Sequence, residues 1–255
     1  AVLAEFGVQL PLNVLAEYPT VERLATLLRD HAGRLSGPLV AIQDGDGTHP
    51  PLFLVHPDDG RVGVYCGLAG ALGEEFTVAG LQAAGLYSDA DPARTVPAMA
   101  DAYIEAVRAV CPAGPYLLGG CGAGAAVAWE MAARLGDVRL VAVFGAGLLE
   151  PLGTGSWLGE PPGGVDPPGV LAGWQARGLV PPGVAPEFVE RSLRVWRACR
   201  DAVRDWRPSP YAGPVEVFGE PGVVLPADAA WRMHECGTAG ELAGELAGVL
   251  RELLG

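Results

Sequence analysis

Short, mostly apolar runs alternate along the chain with stretches whose apolar residues recur at helical spacing. The apolar runs have the length of strands and lie at 52–55, 76–78, 116–119, 138–144 and 215–218. Runs this rich in apolar residues are typical of strands buried on both faces of a parallel sheet. Helical spacing lies between them, at 61–72, 95–110 and 124–135. This order predicts an α/β fold with a mostly parallel central sheet flanked by helices.

Three segments depart from this alternation or complete it. Residues 37–51 are rich in Gly, Asp and Pro, which predicts a linker. Regular patterning stops over 145–184, and the spacing of a long helix then appears over 187–206. Near the end, Thr238 and Glu241 have the spacing of a capping box and predict the start of a final helix.

The glycine-rich turn after strand 116–119 carries the candidate chemistry. From Gly119 to Gly124 the chain passes from a buried strand into an Ala-rich helix, which matches the G-x-S-x-G nucleophile elbow with Cys121 in place of serine. The N-terminus of that helix is expected to lower the thiol pKa of Cys121 and to stabilise an oxyanion. A buried structural cysteine is the alternative. A dinucleotide-binding turn is disfavoured, because Gly145 rather than an acidic residue follows the next strand.

Composition and charge limit the possible partners. The chain has 255 residues, of which 50% are hydrophobic and 18% charged, as expected for one main globular domain. A net charge of −13 argues against nucleic acid and anionic membrane surfaces as partners. The five cysteines are odd in number and lack C-x-x-C spacing, so neither a disulfide framework nor a zinc site is indicated. Without a signal peptide pattern or a membrane-spanning apolar run, the sequence predicts a cytoplasmic location.

Four motifs together resemble the type I thioesterase domain of a nonribosomal peptide synthetase, a member of the α/β hydrolase superfamily. They are LFLVHPDDG at 52–60, GLQAAGL at 80–86, the elbow, and YAGPVEVF at 211–218 before a last strand and helix. The resemblance covers nearly all of the chain. It implies an α/β hydrolase fold with a lid insertion after the sixth strand, over about 146–208.

The resemblance also implies the site residues. Cys121 is expected to be the nucleophile, and the backbone N–H groups of Asp58 and Gly122 are expected to bind the oxyanion. Gapless alignment of the last helix places His234 at the catalytic histidine, with His56 as the alternative base. The family's acid falls on Gly145, so Glu220 is the candidate acid. No cofactor or metal is implied in this domain.

The resemblance sets the expected domains and partners. Residues 1–36 are similar to the end of a peptidyl carrier protein plus a linker, and 37–255 form the thioesterase domain. The substrate is then a peptidyl chain delivered on the phosphopantetheine of an upstream carrier protein, with the upstream synthetase modules as partners.

The expected reaction is transfer of that chain to Cys121 and its release. Family members with cysteine at this position are associated with strained rings such as β-lactams and β-lactones, so release by intramolecular cyclisation is favoured. Hydrolytic release or an editing thioesterase is the alternative enzyme. An inactive thioesterase-like docking module is the alternative of another class.

Overall fold

The protein is described here by a computed structural model that covers residues 37–86, 88, 90–145, 167–176, 186–219 and 230–255. Within these ranges seven strands form one sheet in the order β1-β3-β2-β4-β5-β6-β7. Only the pair β1 and β3 is antiparallel, and every other neighbouring pair is parallel. The strands are β1 (Leu39–Gln43), β2 (Leu52–Val55), β3 (Val78–Leu81), β4 (Tyr116–Cys121), β5 (Val138–Phe144), β6 (Val215–Phe218) and β7 (Trp231–His234).

Helices cover both faces of the sheet, as the alternating pattern predicts. The described helices are α1 (Cys66–Leu72), α2 (Val96–Val110), α3 (Ala123–Ala132), α4 (Pro167–Ala176), α5 (Pro186–Asp205) and α6 (Ala239–Leu254). One face packs against α2, α3 and α5, and the other against α1 and α6. Helix α3 is buried along its whole length, because it lies at the centre of the sheet beneath neighbouring helices.

Several sequence predictions are confirmed at the level of whole elements. Strands β2, β5 and β6 have the predicted bounds. Helix α2 begins after Thr95, whose hydroxyl accepts a hydrogen bond from the Ala98 N–H at 3.2 Å. The capping box is present at the start of α6, where the Thr238 hydroxyl and the Glu241 carboxylate each accept the other residue's backbone N–H.

Other predictions were wrong in position or in kind. The predicted linker 37–51 contains β1, because Leu39–Gln43 pairs with β3. The strand predicted at 76–78 lies at Val78–Leu81, and the helix predicted from residue 61 begins with a 3-10 turn at Gly63–Tyr65 before α1. Helix α4 lies in the stretch without regular patterning, where its Val170 and Trp174 pack against α5.

The most important shift is at the elbow. Strand β4 continues two residues beyond its predicted end, to Cys121, and α3 begins one residue earlier than predicted, at Ala123.

The carrier-like segment 1–36, much of the predicted lid and Glu220 lie outside the described residues. Of the predicted lid, α4 and the long helix α5 are described. None of the helices described is long and apolar enough to cross a membrane.

Candidate active site

The elbow has its strained backbone at Gly122. This residue alone separates β4 from α3, and its φ of +54° and ψ of −127° lie in a region that L side chains rarely adopt. Gly122 is also partly exposed, whereas Cys121 before it is fully buried. In a nucleophile elbow the nucleophile occupies the strained turn between strand and helix. In this chain that position is Gly122.

Two neighbouring glycines confirm this register. A Cβ at Gly120 would lie 2.5 Å from the backbone carbon of Gly124, and a Cβ at Gly124 would lie 2.4 Å from the carbonyl oxygen of Val55. Glycine is therefore required at both positions for β4, α3 and β2 to approach one another. These are the two glycines of G-x-S-x-G, and the residue midway between them is Gly122. The G-x-G-x-G spacing at 120, 122 and 124 is the sequence signal that could have revealed this register.

Cys121 occupies a core position at the end of β4. Its backbone pairs with Phe144 of β5, and its side chain packs into the hydrophobic cluster on the α1 and α6 face of the sheet. The Tyr65 hydroxyl donates to the Val55 carbonyl at 2.6 Å, accepts from the Cys121 N–H at 3.3 Å and lies 3.7 Å from Sγ. The cysteine is therefore held in the core rather than presented to a substrate.

Burial dominates the acidity of this thiol. Desolvation raises the pKa of Cys121 to about 12, against a partial lowering by the Tyr65 hydroxyl beside Sγ. The negative charges of Asp58 and Asp59 act in the same direction as burial. The expected lowering of the pKa by the helix N-terminus is therefore wrong, because the side chain points into the core.

The Asp58 carboxylate occupies the space next to Gly122. Its Oδ2 lies 2.6 Å, its Cγ 3.3 Å and its Oδ1 3.7 Å from the point that a Gly122 Cβ would take. A nucleophilic side chain at position 122 would fill this same space. The sequence singled out Asp58 for its backbone N–H, and the structure adds that its partly exposed carboxylate lies at the elbow. The sequence predicted the Gly122 N–H as an oxyanion donor. In an elbow the donor is the N–H of the residue after the nucleophile position, and in this register that residue is Ala123.

His56 forms two short hydrogen bonds beside this turn. Its Nδ1 lies 2.7 Å from the Pro57 carbonyl oxygen, and its Nε2 lies 2.7 Å from the Tyr103 hydroxyl. The carbonyl can only accept, so Nδ1 donates to it and Nε2 accepts from Tyr103. Burial lowers the pKa of His56 to about 4. Both ring nitrogens of the alternative base thus have structural partners.

His234 lies at the end of the edge strand β7. Its Nε2 lies 2.8 Å from Oε2 of Glu216, and its Nδ1 lies 3.1 Å from Oε2 of Glu245. Its ring stacks on Phe218 with the centroids 4.5 Å apart.

The strand register separates His234 from the elbow. Cys121 pairs with Phe144, Phe144 with Phe218, and Phe218 with His234. His234 is therefore three strands from Cys121, about 14 Å at the usual strand spacing. The structure does not bring these two predicted catalytic residues together.

The acid position is also changed. Gly145 follows β5 directly, and its N–H donates to the Phe218 carbonyl at 2.8 Å. No carboxylate can be supplied by this residue. The candidate acid Glu220 lies outside the described residues, so its role stays a prediction. Glu216, which the sequence did not single out, contacts His234 through its carboxylate.

A buried polar contact holds the long helix α5 against the loop that carries Asp58. Arg61 donates to Ser192 of α5 at 2.6 Å and pairs with Asp59 at 3.4 Å. The Arg61 guanidinium also lies over the Phe188 ring, 5.0 Å from its centroid. Arg61 and Asp59 are both buried, so this contact fixes the Asp58 loop beneath the helix.

Among the described residues, no group of three or more His, Cys, Asp and Glu side chains is arranged to hold a metal ion.

Comparisons with known proteins agree with this fold and with the motifs of the elbow region. Residues 50–143 match the family model described as Thioesterase domain. The chain is 37% identical over 131 residues to the nonribosomal peptide synthetase btyA of Aspergillus terreus, covering 51% of this chain and 14% of that protein. It is 36% identical over 129 residues to a dimodular nonribosomal peptide synthase of Bacillus subtilis, covering 51% of this chain and 5% of that protein. The chain thus spans a small part of the curated relatives it matches.

Solved structures give the same class. The NocB thioesterase domain, solved as a covalent complex with a fluorophosphonate nocardicin G analog, is 26% identical with a TM-score of 0.55, over 85% of this chain and 99% of that one. The four-domain nonribosomal peptide synthetase holo-AB3403 gives a TM-score of 0.67 at 22% identity, over 99% of this chain and 22% of that one. The fold is the α/β hydrolase fold of thioesterases. The matches support a thioesterase domain of the nonribosomal peptide synthetase type.

Proposed function

We propose that this domain receives a carrier-bound peptidyl thioester at the elbow and acts on it without forming an acyl-enzyme there. One observation carries the proposal: the nucleophile position of the elbow is Gly122, and the Asp58 carboxylate lies in the space of the missing side chain. A covalent intermediate needs a nucleophilic side chain at this position. Glycine has none.

Cys121 does not compensate for this absence. Burial raises the thiol pKa of Cys121 to about 12, so the side chain is the neutral thiol at pH 7. Its side chain also packs between the sheet and helices α1 and α6, so attack on a substrate would require this packing to open. Acyl transfer to Cys121, which the sequence motif predicts, is therefore disfavoured by both reactivity and access.

The proposed substrate class and partners follow from the relatives. Both curated relatives described above are nonribosomal peptide synthetases. The segment 50–143, which matches the thioesterase family model, contains the Asp58 loop and the elbow. We therefore assign as substrate a peptidyl chain on the phosphopantetheine of a carrier protein, with the upstream synthetase modules as partners. The carrier-like segment 1–36 lies outside the described residues and stays a prediction.

The type of product depends on the attacking group. The expectation of a strained ring rested on a reactive thioester at Cys121, which this proposal removes. Without an acyl-enzyme, water gives a linear acid, and an amine or hydroxyl of the chain gives a ring. The product mass distinguishes them, because cyclisation releases a product lighter by one water than the free acid.

Intact-mass spectrometry tests the proposal. The domain is incubated with N-acetyl-alanyl-alanyl-pantetheine thioester and quenched at short times, alongside Cys121→Ala. We expect no acyl adduct on either protein. Gly122→Cys combined with Asp58→Ala is the positive control, because it places a thiol at the strained turn and removes the carboxylate that it would contact. An adduct on the parent that is absent from Cys121→Ala would contradict the proposal.

A non-catalytic docking module is the second candidate. The observation that favours it is glycine at two expected catalytic positions, Gly122 at the nucleophile and Gly145 at the acid. This candidate predicts that the domain binds a loaded carrier protein but leaves its thioester intact. Turnover of the pantetheine thioester above the rate in buffer excludes it.

A further inference from the structure

We infer that the Asp58 carboxylate is the catalytic base of this site and activates the group that attacks the thioester directly. The inference rests on the proposed function and deepens it, since it names the residue that performs release without an acyl-enzyme. A carboxylate is a common general base in enzymes. We assign this role to Asp58 because of where its carboxylate lies, and not because of its residue type alone.

The position of the carboxylate is defined by the elbow. Oδ2 of Asp58 lies 2.6 Å from the point that a Gly122 Cβ would take, so a side chain at 122 would push the carboxylate aside. Glycine at 122 therefore leaves the carboxylate in its place at the elbow. The carboxylate lies where the substrate carbonyl meets the nucleophile in the elbow fold. Asp58 is a partly exposed residue at the surface of this turn, where solvent and substrate arrive.

The loop that carries Asp58 is held on both sides. The Gly60 N–H donates to the Pro57 carbonyl at 3.0 Å and closes a tight turn around Asp58 and Asp59. The next carboxylate, Asp59, accepts the Arg61 N–H at 3.0 Å and pairs with the buried Arg61 guanidinium. Arg61 in turn contacts α5 through Ser192. A base held by a rigid loop loses little energy to reorganisation when the substrate arrives.

The same turn supplies donors for the developing negative charge. Helix α3 begins at Ala123, and the first backbone N–H groups of a helix lack partners within it. These groups carry the positive end of the helix dipole. A thioester carbonyl placed at the elbow would direct its oxygen at them while its carbon faces the Asp58 carboxylate. The proposed base and the proposed donors thus lie at the same turn, as direct attack on a bound thioester requires.

The proposed step balances without any further reactant. A water molecule bound to Asp58 gives its proton to the carboxylate as its oxygen attacks the thioester carbonyl carbon. The carbon–sulfur bond then breaks, and the proton passes from Asp58 to the leaving pantetheine sulfur. The products are the free acid and the pantetheine thiol, and Asp58 returns to its starting charge. An amine or hydroxyl of the bound chain replaces water when a ring is formed.

The test measures turnover of N-acetyl-alanyl-alanyl-pantetheine thioester by the parent and by Asp58→Asn. Asparagine keeps the shape of the side chain but cannot accept the proton. Because general base catalysis contributes about 10²- to 10⁴-fold, we expect kcat/KM to fall at least about 100-fold. The matched control is Asp44→Asn, which removes an exposed aspartate from the loop after β1 and should leave turnover unchanged.

A second variant and an isotope measurement keep the inference falsifiable. Gly122→Ala leaves the carboxylate chemically intact but displaces it, so turnover should fall as well, with folding checked by circular dichroism. Repeated turnover in ¹⁸O-labelled water should label the product acid and not the Asp58 carboxylate. Absence of parent turnover, unchanged turnover in Asp58→Asn, or label in Asp58 would overturn the inference. These outcomes concern turnover, whereas the proposed function fails on an acyl adduct at Cys121, so the two failures are distinguishable.

Discussion

Cys121 and Gly122 are neighbours in the sequence, but their surroundings differ completely. Cys121 is the last residue of β4, with its side chain in the core, and Gly122 is the partly exposed turn residue. A cysteine beside an elbow is thus not by itself a nucleophile. What decides reactivity is which residue holds the strained backbone conformation, because only that residue presents its side chain above the sheet.

A substitution at the cysteine tests this separation. We expect Cys121→Ser to keep thioester turnover within about threefold of the parent. The change should instead cost about 1–3 kcal/mol of unfolding free energy, because it buries a hydroxyl in an apolar cluster. Enzyme kinetics and urea denaturation measure the two effects separately. A 100-fold loss of turnover with unchanged stability would restore Cys121 as the nucleophile.

At the scale of elements, the contact between Arg61 and α5 joins this long helix to the Asp58 loop. Replacing Arg61 by methionine keeps an apolar side chain but leaves Asp59 without its buried partner guanidinium, which costs about 3–5 kcal/mol when such a pair is broken. We expect amide hydrogen exchange to accelerate in α5 and in residues 58–60. Arg204→Met, an exposed change near the end of the same helix, is the control and should leave exchange at these sites unchanged. Equal protection of α5 in the parent and Arg61→Met would show that apolar packing alone holds the helix.

For the whole molecule, the buried His56 makes folding stability depend on pH. Its pKa is about 4 in the folded protein and about 6.5 in an unfolded chain. Between these values the unfolded chain binds a proton that the folded protein does not. The contribution is therefore complete above about pH 6.5 and declines as the pH falls toward 4, by about 3 kcal/mol in total.

Urea denaturation at pH 7.5, 6.0, 5.0 and 4.5 measures this decline. His56→Gln should flatten the pH dependence, although it lowers stability at every pH because the hydrogen bond with Tyr103 is altered. The control is His49→Gln, which removes a different imidazole. Its unfolding free energy should depend on pH as steeply as that of the parent. A parent whose stability is constant from pH 7.5 to 5.0 would contradict the burial of a neutral His56.

Most of the fold could be predicted from the sequence, because its signals are local and periodic. Strand β5 has the bounds that its apolar run predicts, and α6 begins at the capping box of Thr238 and Glu241. Strand β1 was missed, since its residues pair only with β3 and lie in a stretch rich in turn formers. Helix α4 was missed for a similar reason: its stability comes from packing on α5 rather than from its own pattern.

The candidate site, like the fold, could be predicted only in part from the sequence. The sequence by itself determined that a strand–glycine–helix turn follows β4 and that the Asp58 loop follows β2, because both signals lie within a few consecutive residues. Only the tertiary structure decided which residue of the glycine run takes the strained position. The physical reason is that β2, β4 and α3 must approach at Gly120 and Gly124, which fixes Gly122 between them, leaves Cys121 in the core and brings Asp58 to the elbow.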